Sequence, residues 1–349
     1  MYVLRVAFEE FVVESKRSYN LTKRFKEIID KILFYIGPDL IFLFLLILVL
    51  VILSIVYGNR KFTPVKKSVI VPFIVFSGLL FAGFISRIKL ITSGKREKLR
   101  EVRDFVLNMA RDWFPLLLIV LVYENLHDLT DLIHPYTLDG KLRELDRMIF
   151  GVDPTLWLER IISPALNDYM TFAYGLYFLY PATILGIVYS KGDIFKFREV
   201  ALSFVICVVA GFIGYVTVPA VGPRYFMADE FSISLTGYLT EAGAKAWNSI
   251  ESVKRDCFPS LHTSMSTITL VYFYRFRKYY RGGKILFYIA LPLVISLWFS
   301  TVYLRYHWVV DVFAGWILAL ICVNLSPAFI RWYYRWHSGI VVEVSKDLK

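Results

Sequence analysis

Cysteine is scarce in this chain. Three among 349 residues do not make a disulfide framework, and Cys207 and Cys322 fall inside apolar runs where they read as plain core. Charge is scarce too. Lys, Arg, Asp and Glu make up 20% of the sequence while 57% is hydrophobic, a balance that excludes an ordinary soluble domain. Neither an internal repeat nor a low-complexity tract is visible, which argues against a solenoid or a disordered linker. Acidic residues are outnumbered 29 to 40, for a net charge of +11, yet no separate basic domain carries the excess. That argues against nucleic acid as a partner and for the lipid bilayer. The first 36 residues are too charged for a secretory signal peptide.

What is present is apolar length. A helix needs about 20 mostly apolar residues to cross a bilayer. Eight stretches qualify: roughly 39–57, 69–91, 110–126, 170–189, 200–219, 260–274, 285–304 and 307–326. The third and sixth are short. Arg87 and Lys89, near the end of the second, can snorkel to the interface. The expected fold is all-α, a polytopic membrane helix bundle with a six-helix core and about two further N-terminal spans. The chain divides into an amphipathic lead-in (1–36), two accessory spans with a basic loop (37–109), a six-span membrane domain (110–326) and a polar tail (327–349).

Three loops are basic: "SGKREKLREVR" (93–103), "KGDIFKFRE" (191–199) and "RFRKYYRGGK" (275–284). The positive-inside rule puts them in the cytoplasm. With eight spans they share one side with both termini, although the basic loop 58–67 falls on the other. The two long loops, 127–169 and 220–259, then face away from the cytoplasm. The first contains "LDGKLRELDRMIFGVDPTLWLERIISPAL", whose apolar and charged residues alternate at near-helical spacing and suit a helix lying on the membrane surface.

Ionisable groups at the ends of these spans cost free energy and need a reason. In "STVYLRYHWVVDVFAGW" (300–316), His307 and Asp311 are four apart. On a helix they share a face, so the carboxylate can fix the imidazole tautomer and leave the other ring nitrogen as a nucleophile or base. The alternative is a pair that only locks helix orientation. In "FPSLHTSMST" (258–267), Pro259 and Ser260 read as a helix start, placing His262 in the first turn, where unpaired N–H groups suit a phosphate. In "VPAVGPRYF" (218–226), Arg224 offers a planar fork of donors matched to phosphate oxygens, or a head-group anchor. Taken together, the three reach the same depth on the same side. Two histidines, one beside a carboxylate, with an arginine, are equipment for phosphoryl transfer.

These motifs resemble the type 2 phosphatidic acid phosphatase superfamily over roughly 110–326. The resemblance implies that His307 is the nucleophile, forming a phosphohistidine, with Asp311 as its partner. It implies that His262 protonates the leaving group and that Arg224 binds phosphate, with no metal or other cofactor. Ser260 and Arg305 join Arg224 as candidate phosphate-binding residues. The departures are specific. Thr217 stands where the family has lysine, Pro223 precedes rather than follows Arg224, Leu261 replaces a glycine, and Thr301 replaces an arginine. Arg305 is the candidate substitute for a lost cation, with Lys254 and Arg255 behind it. "FPSLHTS", the altered third motif and "LDRMIFGVDPTLWL" are similar to the inositol phosphorylceramide synthase branch, whose members pass a phospho-head group between lipids. A phosphodiester carries less charge than a monoester, which fits fewer cations.

Lipid substrates, an integral membrane location and a site on the non-cytoplasmic face follow as expectations. The rival readings are a lipid phosphatase acting on phosphatidate or a polyprenyl pyrophosphate, and a transporter or scramblase using the histidines as a proton relay. A second cluster, "YENLHDLTDLIHPY" (123–136), places His127, Asp131 and His134 at helical spacing. It suits a divalent metal or a capping turn. There Glu124 and Asp128 are candidate contacts for a polar acceptor such as a sugar hydroxyl.

Overall fold

The computed structural model describes residues 37–57, 134–250 and 255–336, with scattered positions between 25 and 133. Helix is the regular element of these residues, and no strand occurs among them. In chain order the helices are α1 (Pro38–Val56), α2 (Asp139–Phe150), the single turn α3 (Pro154–Trp157), α4 (Pro164–Gly175), α5 (Leu179–Ser190), α6 (Ile194–Thr217), the single turn α7 (Pro223–Phe226), α8 (Tyr238–Ile250), α9 (Leu261–Phe276), α10 (Gly283–Tyr303) and α11 (Val309–Trp336). Helices α4 and α5 run through a 3-10 turn as one 27-residue span, Pro164–Ser190.

That span, α6, α10 and α11 are each long and apolar enough to cross a membrane. Their outer faces expose Ile213, Ile285, Ile289, Ile317, Leu320 and Ile321. Apolar residues turned outward along whole helices would be ruinous in water and are what lipid requires. The protein is an integral membrane protein built as an all-α bundle. The expected spans at 39–57, 170–189, 200–219 and 285–304 correspond to α1, α4–α5, α6 and α10. The stretch 69–91 lies outside the described residues, as does much of 110–126. The last span is longer than expected. It starts two residues after His307 and runs to Trp336 with Pro327 inside it, ten residues into the anticipated tail.

Helix α9 stands at the centre, packed against α5, α6, α10 and α11. It has 16 residues, and its buried face carries Thr263, Ser264, Ser266, Thr267 and Thr269. These hydroxyls satisfy themselves within the helix: Ser264 donates to the Ser260 carbonyl at 2.8 Å and Thr267 to that of Thr263 at 2.6 Å. Small residues let the neighbours close in. A Cβ on Gly315 of α11 would sit 2.7 Å from the Ser260 carbonyl oxygen. The sixth span can be short and polar because four helices pack around it.

At the other end, Asp193 caps α6 by accepting from the Lys196 N–H at 3.1 Å, and the Lys196 ammonium lies over the Tyr279 ring at 4.6 Å. The two basic loops thus meet. Nearby, buried Arg198 of α6 bridges Asp39 of α1 and Asp112, each at 2.7 Å, and ties the N-terminal span to the bundle.

Candidate active site

Three chain segments converge at the end of the bundle opposite the basic loops. The segment after α6 carries Arg224, the start of α9 carries His262, and the α10–α11 loop carries His307. Backbone hydrogen bonds join them. Arg224 N–H donates to the Arg305 carbonyl at 2.7 Å, Cys257 N–H to that of Ala220 at 3.2 Å, and Ser260 N–H to that of Asp311 at 3.1 Å. Gly222 makes the approach possible. It sits at φ 77°, ψ 167°, a region open essentially to glycine, and a Cβ there would strike the Tyr306 carbonyl oxygen.

His307 lies just before α11 rather than within it, and Asp311 lies in that helix's first turn. Both are buried. The side chains meet as expected, with His307 Nδ1 3.5 Å from Asp311 Oδ2. Asp311 Oδ2 also accepts from the Trp308 N–H at 2.8 Å, the reach-back half of a capping box. A third group enters here. The Cys257 thiol donates to Asp311 Oδ2 at 2.8 Å and lies 3.4 Å from His307 Nδ1. Burial pushes this thiol's pKa up, so it stays protonated and serves as a donor. Cys257, His307 and Asp311 offer ligand atoms within 4.8 Å of one another, a set able to hold a metal ion. In this structure the same atoms are spent on each other.

The opposite nitrogen of His307, Nε2, faces His262 Nδ1 at 3.4 Å. His262 sits in the first turn of α9 with Tyr174 stacked on it at 4.5 Å between ring centres and Tyr177 against it at 4.2 Å. Tyr174 also stacks on Tyr306 at 4.6 Å. Arg224 donates to the Tyr306 hydroxyl at 3.1 Å and lies over its ring at 5.2 Å. Beyond this aromatic wall is a cavity of about 430 Å³ whose lining includes Arg224, Arg305, Tyr306, Phe231 and Leu235.

Two candidate phosphate ligands are placed otherwise than a free donor would be. The Ser260 hydroxyl is buried and caps α9, accepting from the Thr263 N–H at 3.3 Å. Arg305 ends α10 at φ 68°, a left-handed position usually given to glycine. Its guanidinium donates to Glu159 at 2.9 Å and to the Ile233 carbonyl at 2.6 Å, over the Phe231 ring at 3.8 Å. Its charge is thereby matched by a carboxylate.

The absent family cations leave small buried or outward groups. Thr301 is fully buried, gives its hydroxyl to the Trp298 carbonyl, and its own carbonyl receives the N–H groups of Tyr306 and His307. Thr217 is exposed and bonds back to the Ile213 carbonyl at 2.9 Å. Arg255 turns away to Asp131 at 3.1 Å and to the His134 carbonyl. That pairing takes Asp131 from the second cluster, whose His127, Glu124 and Asp128 lie outside the described residues, as does Lys254.

Sequence reasoning missed Cys257, Tyr174, Glu159 and the carboxylates of α2. Asp139 accepts from the Val221 and Gly222 N–H groups, and Asp146 from those of Val309 and Val310, all at 2.9 Å. The quoted "LDRMIFGVDPTLWL" was the available signal for Asp146. A family model described as the PAP2 superfamily matches residues 140–325. No curated protein and no solved structure matches the chain.

Proposed function

This chain belongs to the PAP2 superfamily and is a membrane enzyme of the phosphatase and phosphotransferase kind, and from that premise we propose that it moves a phospho-head group, of the inositol phosphate type, from a lipid donor to an alcohol acceptor. The observation that carries the reading is the charge at the cavity. Among the described residues its arginines are Arg224 and Arg305, and Glu159 already neutralises the second. A dianionic monoester needs more positive charge than this; a monoanionic phosphodiester does not. The resemblance of "FPSLHTS" and "LDRMIFGVDPTLWL" to inositol phosphorylceramide synthases supports the same choice.

In this mechanism the donor's phosphate lies against Arg224, with its first carbons along the cavity's apolar wall. His307 Nε2 attacks phosphorus in line. The N–P bond forms as the P–O bond to the lipid alcohol breaks, and the departing oxygen takes a proton from His262. Asp311 offsets the positive charge that develops on His307, as in a triad. The acceptor hydroxyl then gives its proton to His262 while its oxygen attacks phosphorus and the N–P bond breaks. The basic loops lie at the far end of the bundle, which by the positive-inside rule supports a site on the non-cytoplasmic face.

The test is product analysis. Purified protein in lipid nanodiscs is given labelled inositol-phosphate and glycerophosphate donor lipids, with and without a lipid alcohol. Wild type is expected to yield an acceptor-dependent phospholipid and a transient phosphohistidine, both lost in His307→Ala. Release of the head group to water alone, whatever acceptor is supplied, would falsify the transfer reading in favour of a phosphatase.

A further inference from the structure

Helix α2 reads from sequence as a surface helix, yet two of its carboxylates are almost completely buried. Asp139 is 0% exposed and Asp146 1%. They are seven residues apart, two turns, and so share one face with buried Leu142. The same helix leaves Leu145, Met148 and Ile149 exposed. An aspartate buried against neutral donors is expensive, and a packed apolar side chain would hold the helix down at lower cost. Their partners give the reason.

Asp139 takes the Val221 N–H on one oxygen and the Gly222 N–H on the other, with the Trp308 indole N–H also on Oδ1 at 2.9 Å. One carboxylate therefore joins the arginine segment to the residue beside His307. The Leu138 N–H adds a bond to the Pro219 carbonyl at 2.8 Å. Asp146 receives the first two amides of α11, Val309 and Val310, one on each oxygen. Helix starts usually take a Ser, Thr, Asp or Asn cap from their own chain. Here the preceding residue is Trp308, which has no acceptor, and the cap comes from a helix more than 160 residues away. Trp308 is thus gripped by its amide through Asp311 and by its ring through Asp139, and His307 is its neighbour.

We propose that Asp139 and Asp146 are positioning residues that hold the Arg224 segment and the His307 segment in register for phosphoryl transfer, without touching substrate themselves. This rests on the functional reading above. Misplacing a nucleophile by about 1 Å can cost on the order of a hundredfold in rate.

The experiment uses the full chain in nanodiscs, with Asp139→Asn, Asp146→Asn and Trp308→Phe, the last removing the indole N–H together with part of a buried ring. Total donor consumption is measured, whatever the acceptor, so the result does not depend on transfer over hydrolysis. Each variant is expected to lose kcat by about tenfold or more while KM for the donor lipid stays within about threefold. Hydrogen–deuterium exchange is the second arm. Asp146→Asn should raise exchange in peptides covering 305–312, and Asp139→Asn in those covering 219–226, with α10 unchanged. Unchanged kcat in both aspartate variants, or a loss confined to KM, overturns the proposal. So does undisturbed exchange. Should the aspartate variants fail to fold, Trp308→Phe decides, and full kcat there refutes the clamp. If wild type consumes no donor lipid, the functional reading falls, and the exchange arm still judges the clamp.

Discussion

At the scale of single residues, the least expected participant is Cys257. Its thiol, not the imidazole, makes the shorter contact with Asp311: 2.8 Å against 3.5 Å for His307 Nδ1. The carboxylate is shared, and the thiol helps to hold it in place beside the histidine. A hydrogen bond to a charged group contributes about 1.5–3 kcal/mol, less for a weak donor such as sulfur. Cys257→Ser, which keeps a donor, is expected to retain kcat within about threefold, and Cys257→Ala to lose about tenfold. Steady-state kinetics on the two variants would settle the point, equal activity of both arguing against any part for the thiol. The residues legible from sequence were those whose chemistry is local. His307 and Asp311 lie four apart, and Pro259, Ser260 and His262 within one turn, so spacing marks each as a candidate and their combination makes the case. Cys257 and Tyr174 leave no such trace. One lies five residues ahead of a histidine and the other eighty-eight, and only the fold brings them to the imidazoles.

At the scale of elements, α2 and the segment after α6 set the geometry. Burial pushes the Asp146 carboxyl up to about 6, with the charges of Asp311 on α11 and Asp153 beyond α2 adding to it. Arg143 and Arg147 of the same helix are engaged with Asp153, which they hold down to about 2. The sign for Asp146 has two parts. Its folded value is raised, so its own contribution to stability is greatest below the unfolded value near 4 and is lost as pH rises through about 6. Activity runs the other way, because the ionised form holds the Val309 and Val310 amides best. A kcat–pH profile is expected to fall as pH drops through about 6, and Asp146→Asn to lack that limb while staying low throughout. An identical limb in the variant would assign it to the histidines instead. Gly222→Ala tests the neighbouring segment. Its backbone region costs a non-glycine residue about 1–3 kcal/mol, and its Cβ meets the Tyr306 carbonyl. Activity should fall more than tenfold with normal membrane insertion; full activity would show that the two segments tolerate separation. The amphipathic pattern of α2 was legible, but its aspartates looked like surface charge. Nothing in a single sequence distinguishes a carboxylate facing water from one facing amides that arrive 82 or 163 residues later.

At the scale of the whole molecule, the candidate site and the anchoring charges occupy opposite ends of the bundle. The Arg198 triad joins α1 to α6 far from the histidines. Removing the arginine leaves two buried carboxylates opposed, a change of about 3–5 kcal/mol. Arg198→Leu is expected to lower the melting temperature in detergent while leaving kcat of the surviving protein near wild type, and a kcat loss at unchanged stability would place the N-terminal span within the catalytic unit. The bundle itself was legible because outward apolar residues leave long runs. The centre was legible only as a short span, 260–274, and its shortness has a physical reason. At 16 residues and about 1.5 Å per residue it spans about 24 Å, less than the hydrocarbon thickness of about 30 Å, and its buried face is lined with hydroxyls. Its route into the membrane follows from that. Presented alone to an insertion machinery that weighs each segment by its own hydrophobicity, such a helix partitions poorly. It enters as cargo of its neighbours, α6 before it and α10 and α11 after it. The candidate site at its tip is therefore expected to assemble only once the surrounding helices are in place.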